Sequence, residues 1–240
     1  MNNKLKHKIY WVILRLSRGG GIFRPLIDLL GFLYFKLFRG HKKFTFNKKE
    51  YKYFYHLYNR TVAGERVVEI PLALDILDKY KDKDILEVGN VMSHYIRTNY
   101  PILDLHEKGR NVVNKDVISF NLKKKFDLIL SVSTMEHVGF SKRYWEPKKP
   151  KKFSKGIVNL KKHLKKNGEL FVTFPLFYND YISDLILKKK DPFTKRYFFK
   201  RTSHLNEWKQ ISFSEAIKGN SYEGYFANAN ILFIGVYKKK

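Results

Sequence analysis

Along residues 61–240, short apolar runs bounded by charged residues alternate with stretches of helical spacing. The segment 83–90 is an apolar run ending at a glycine, which predicts a buried strand leading into a turn. Ile102-Leu103-Asp104 predicts a second short strand closed by a carboxylate, and residues 112–116 a third. Residues 126–133 form the strongest strand signal. Helical spacing marks residues 72–80 and 153–164, the second with Ile157, Leu160 and Leu164 in line and lysines between them. Lys166-Asn167-Gly168 stops that helix, and residues 169–174 predict the next strand. Residues 230–237 predict a final strand. Strands alternating with helices imply an α/β fold, a parallel sheet with helices on both faces. In such sheets ligands bind beyond the carboxyl ends of the strands.

The first 40 residues read differently. Leu5, Ile9, Val12, Ile13 and Leu16 share one helical face, with Lys4, Lys8, Arg15 and Arg18 opposite. Gly19-Gly20-Gly21 ends that helix and, with no buried strand before it, is no phosphate-binding loop. A second apolar stretch over 22–38 is interrupted by Arg24, Asp28 and Lys36, too often for a spanning helix. The run 9–14 is also too short for a secretory signal. The expected organisation is a basic amphipathic segment over 1–40 and one domain over 41–240. A basic amphipathic helix suits an anionic membrane surface.

Composition narrows the chemistry. The 240 residues include no cysteine, so disulfides, thiolate metal sites and a cysteine nucleophile are excluded. A 44% apolar content excludes a disordered chain. The formal net charge is +26, distributed unevenly. Residues 1–60 hold 14 basic and 2 acidic side chains, whereas 61–120 hold 8 basic and 10 acidic. A basic chain that only coats polyanions has no use for that acidic stretch; a pocket for a cationic ligand with hydroxyls does. The eight histidines show no metal-ligand spacing, so no metal is expected.

Three motifs in register carry a family resemblance. Ile85-Leu86-Glu87-Val88-Gly89-Asn90 resembles the first motif of the class I S-adenosylmethionine-dependent methyltransferases, a strand ending in acid-x-Gly. Residues 126–139, FDLILSVSTMEHVG, resemble that family's fourth-strand motif, and residues 164–170 its helix-turn-strand ending in a late glycine. The chain is most similar to methyltransferase-like proteins associated with polysaccharide biosynthesis. The resemblance implies a Rossmann-like class I methyltransferase fold and S-adenosylmethionine as cofactor. It implies that Glu87 and Gly89 flank the cofactor's amino-acid part, with Asn90 completing the loop in a left-handed conformation. Asp104 would accept from the ribose hydroxyls, Asp116 with Val117 would face the adenine, and Ser133 would floor the sulfonium. The sequence departs from the family at Asn90-Val91-Met92-Ser93, where a second glycine is expected.

Direct displacement on a sulfonium methyl needs alignment and a proton acceptor rather than a protein nucleophile. His137, beside Glu136 just after the fourth strand, is the expected base; His94 is a second candidate. Lysine and aromatic residues over 142–155 and 191–208 are expected to form two lips of the site. The expected acceptor is a small molecule or glycan, anionic or phosphate-linked, used by a cytoplasmic protein peripheral at the inner face of the membrane. Nucleic acid is the less favoured partner, an RNA or nucleotide methyltransferase being the alternative within the fold. A non-catalytic Rossmann-like binding protein with a degenerate cofactor loop is the alternative of another class.

Overall fold

The computed structural model describes residues 24–140, 149, 151–219 and 229–240. The amphipathic helix expected over 5–16 and most of the lip expected over 142–155 lie outside the described residues.

Helix α1 (Arg24–Arg39) comes first, followed by a hairpin of β1 (Lys43–Phe46) and β2 (Lys49–Lys52). Asn47 and Lys48 both have positive φ, the two-residue turn whose twist suits a tight hairpin. Next come α2 (Arg66–Lys79), β3 (Ile85–Val88), β4 (Ile102–Leu103), β5 (Val112–Val113) and β6 (Phe126–Val132). Helix α3 (Lys151–Lys162) leads to β7 (Leu164–Pro175), and α4 (Asp180–Leu187) to β8 (Lys195–Arg201) and β9 (Trp208–Ile211). The short α5 (Phe213–Ala216) precedes β10 (Ile231–Lys238).

One eight-stranded sheet results, ordered β5-β4-β3-β6-β7-β10-β8-β9. From β5 to β7 every pairing is parallel; β10 runs antiparallel between β7 and β8, and β9 antiparallel at the far edge. It is the mixed α/β, mostly parallel Rossmann-like sheet expected. Helix α2 and the aromatic side chains of the hairpin cover one face; α3 and α4 cover the other. Strand order turns back between β3 and β6, so the cleft of such a sheet opens beyond their carboxyl ends.

Local chemistry explains the less regular parts. Pro71 lies inside α2 and cannot donate to the Val67 carbonyl one turn earlier; Phe54 N donates to that carbonyl instead, at 3.1 Å. The crossover from β3 to β4 holds only a 3₁₀ turn over Met92–His94, and no helix separates β4 from β5. These two-residue strands trim the sheet edge, as the 12-residue spacing of Asp104 and Asp116 requires. At the opposite end of β3 and β6, Lys165 bridges Asp84 and Asp127, at 2.5 and 2.8 Å, and holds the Asp84 carboxyl down at about 2, together with Lys124.

The segment 191–208 corrects one expectation. It forms strand rather than an active-site lip. Phe198, Phe199 and Trp208 are buried in the sheet, while Lys195 and Lys200 face out. Tyr197 packs edge-on to Phe46 and Phe199 to Phe44, so these aromatics seat the hairpin instead of a ligand. Buried Arg201 donates to the Ala63 carbonyl at 3.2 Å, and Asn206 donates to Val62 and Gly64 at 3.1 and 2.8 Å. These bonds fix the turn that launches α2.

Helix α1 packs against the rest of the chain through its C-terminal half. Phe35 is buried against Tyr34, Tyr55, Val62 and Leu205, and Arg39 pairs with Glu207.

Candidate functional site

A cleft opens beyond the carboxyl ends of β3, β4 and β6. Gly89, Asp104, Asp116, Val117, Thr134, His137 and Lys152 are among its lining residues. The segments after β3, β4, β5 and β6 supply all of them but Lys152, which comes from the first turn of α3. Gly89 has φ +86°, and a Cβ there would stand 2.0 Å from Thr134 Oγ1. Only glycine lets the turn after β3 pass under the turn after β6.

The loop after Gly89 is built by carboxylates. Glu87 Oε1 accepts from the amides of Val91 and Met92 at 2.9 and 2.7 Å. Asp104 Oδ2 accepts from Asn90 N at 3.0 Å, and its Oδ1 from the amides of His106 and Glu107 at 2.8 and 2.7 Å. Asn90 donates its side-chain amide to Glu107 and accepts from Ser93, and its φ is not positive. The left-handed conformation expected at Asn90 is therefore not adopted: Gly89 alone supplies the positive φ, and side-chain acceptors take the loop amides. Without a second glycine the loop closes on itself and forms a 3₁₀ turn.

The sequence-proposed residues divide into two sets. Gly89, Asp104, Asp116, Val117 and His137 line the cleft. Asp116 accepts from Ile118 N at 3.0 Å and lies 3.6 Å from Lys152 Nζ. Glu87, Asn90, Ser133 and Glu136 are buried and are not among the described lining residues. Ser133, expected on the cleft floor, has φ +39° and turns its hydroxyl away, donating to both oxygens of Glu69 on α2 at 2.9 and 2.8 Å. His94 also stands off the cleft, stacked on Tyr58 and 3.1 Å from Glu107.

Behind the cleft wall lies a set of buried carboxyls. Burial, then the nearby Glu65 charge, pushes Glu69 up to about 7. Burial raises Glu87 to about 7 as well, against the pull of its two amide donors. Burial, with Glu69 next in effect, raises Glu136 well above the usual carboxylate range. Glu136 Oε2 and Glu87 Oε2 are buried without a hydrogen-bond partner. Glu136 Oε1 lies 3.8 Å from His137 Nε2, and the half-exposed imidazole meets the Tyr178 ring edge-on. Asn179 donates to the Glu136 carbonyl at 3.0 Å and caps α4 with its own oxygen, fixing the 3₁₀ turn that carries Glu136 and His137.

Thr134, Lys152 and Glu69 were missed by sequence reasoning. Glu69 carried a signal: a lone acid inside the apolar run Val67-Val68-Glu69-Ile70. Lys152 lies within the segment 142–155 expected as a lip, though it was not singled out; Thr134 carried no signal, because its contact with Gly89 crosses from one element to another.

The residues present fit the adenosine part of S-adenosylmethionine. Asp104 and Asp116 stand at successive strand ends with Val117 beside Asp116, and Gly89 keeps the wall open for close backbone approach.

Comparison with solved structures finds similarity to several methyltransferases. The N-methyltransferase NodS from Bradyrhizobium japonicum WM9 is 14% identical, over 73% of this chain and 96% of that one, with a TM-score of 0.46. A S-adenosylmethionine-dependent methyltransferase from Clostridium acetobutylicum ATCC 824 is 12% identical over 88% and 98%, at 0.38. An rRNA methylase from Streptococcus thermophilus is 8% identical over 72% and 97%, at 0.42. No family model matches the chain, and no curated protein matches it.

Proposed function

We propose that the chain is an S-adenosylmethionine-dependent methyltransferase acting on a small-molecule or glycan acceptor. The observation that supports this most is the convergence of Gly89, Asp104, Asp116, Val117 and His137, from separate strand ends, on one cleft. Asp104 would accept from ribose hydroxyls, and Asp116 and Val117 would hold the adenine. The cofactor, when bound, supplies an electrophilic methyl group on a sulfonium. The protein's part is to hold an acceptor in line and take its proton.

His137 is the proposed base, since its half-exposed imidazole is at the cleft. Glu136 is its positioning partner, held by the Asn179 hydrogen bond. Burial raises Glu136 and Glu69 above the usual carboxylate range, so the wall behind His137 carries less negative charge than two free carboxylates would. That favours a neutral hydroxyl or amine at the reacting position. Any phosphate on the acceptor would sit outward, where Lys115 and Lys152 line the cleft.

Calorimetric titration with S-adenosylhomocysteine, beside Asp104→Ala, tests the reading. Micromolar binding that is lost in the variant supports it. Absence of binding by folded wild-type protein would overturn it in favour of a non-catalytic Rossmann-like binding protein.

A further inference from the structure

Helix α1 is packed on one side and apolar on the other. At about 100° per residue, Leu26, Leu29, Leu30, Leu33 and Leu37 fall within an arc of about 100°. All five are exposed, Leu26 by 54%, Leu30 by 55% and Leu37 by 72%. The opposite side carries Phe35 and Arg39, both buried against the domain. The usual arrangement of a surface helix is therefore inverted on the outward side. Single exposed leucines need no explanation, but a continuous stripe of five marks a docking surface.

Charge selects the occupant. Asp28 is the one acidic residue in the first 49, against 12 lysines and arginines. Lys36 lies on the flank of the stripe, and the exposed His41, Lys42 and Lys48 follow α1 directly. A second copy of a chain carrying +26 would bring like charges together at this face. An anionic bilayer meets both features at once, taking the leucines into the headgroup–acyl boundary while its phosphates meet the lysines. Spanning is excluded for this helix. Its 16 residues rise about 24 Å, short of a hydrocarbon core of about 30 Å, and no helix among the described residues is long and apolar enough to cross.

We propose that α1 lies in the plane of an anionic lipid surface with its leucine stripe inserted. The proposal is independent of the methyltransferase reading.

Full-length protein is sedimented with vesicles of phosphatidylcholine alone and of phosphatidylcholine mixed with phosphatidylglycerol, beside the double variant Leu30→Glu/Leu37→Glu. Wild type is expected to partition roughly tenfold more onto the mixed vesicles than onto the neutral ones, and the variant to lose at least about tenfold of that binding. The lack of cysteine allows a second measurement that does not depend on the double variant folding. An environment-sensitive fluorophore on Leu37→Cys should shift to the blue on mixed vesicles and be quenched by brominated lipid. The same fluorophore on Lys155→Cys, exposed on α3, should not respond. Equal sedimentation of variant and wild type, or a silent label at position 37, would overturn the proposal. So would a wild-type dimer that the double variant converts to monomer, because a second copy would then cover the stripe.

Discussion

Replacing Glu87 by Gln removes an ionisable group while keeping the carbonyl oxygen that the Val91 and Met92 amides require. Glu87 is fully buried, with Oε1 bonded to those amides and Oε2 without a partner. Burial raises its carboxyl from 4.5 to about 7. Between those values the folded chain holds a proton that the unfolded chain has released, so stability falls as pH rises. The contribution is complete below about 4.5 and is lost as pH rises through about 7. Integrated from pH 5 to pH 8, the loss for this one carboxyl is about 2–3 kcal/mol. Glutamine cannot ionise, so the variant escapes the loss. Glu69 titrates in the same window in both proteins and cancels in the comparison. Urea unfolding of both proteins at pH 5 and pH 8 measures the effect. The variant's advantage at pH 8 should exceed that at pH 5 by roughly 2–3 kcal/mol, or about 5–10 °C in melting temperature. An advantage that is the same at both pH values would refute the assignment of a neutral, desolvated carboxyl at position 87.

Gly89→Ala places a methyl against Thr134 at a left-handed φ; it should cost at least about 2 kcal/mol and abolish S-adenosylhomocysteine binding, read by thermal melts and calorimetry. Asn206→Ala leaves the Trp208 indole N–H and the Val62 and Gly64 carbonyls without their bonds and should cost roughly 3 kcal/mol in urea unfolding. Asn179→Ala removes a helix cap and the Glu136 carbonyl bond; it should cost about 1–2 kcal/mol and, if the proposed activity is present, lower kcat more than it raises KM. At the other end of the sheet, Lys124 and Lys165 depress Asp84, a contribution present above the ordinary Asp range and lost as pH falls toward about 2. Lys165→Met should therefore flatten the fall in urea midpoint between pH 5 and pH 2.5.

The strands around the cleft were legible because each buried parallel strand must be a nearly continuous apolar run. The burial of β3 and β6 follows the runs at 85–88 and 126–132 almost residue for residue. The strand-end positions of Gly89 and Asp104, each one residue past a strand, and of Asp116 and His137, three and five residues past one, followed from the same runs, since the chain just past a strand must lie near its carboxyl end. Residues 191–208 misled because β8, though paired on both sides, mixes exposed basic and buried aromatic residues in one strand. Periodicity alone does not distinguish that pattern from a ligand-binding loop.

What the sequence determined by itself was local: element type, the sheet's layered class, the trimmed edge between Asp104 and Asp116, and the excess of positive charge. Tertiary structure decided which acids face a ligand and which brace the chain. Asp104 both lines the cleft and holds a loop, Glu87 holds a loop from within the core, and Ser133 turns from the cleft to Glu69. It also decided that the leucines of α1 face outward, because Phe35 and Arg39 find partners 20 to 170 residues away. Those outcomes depend on contacts between residues distant in the chain, which no pattern along it encodes.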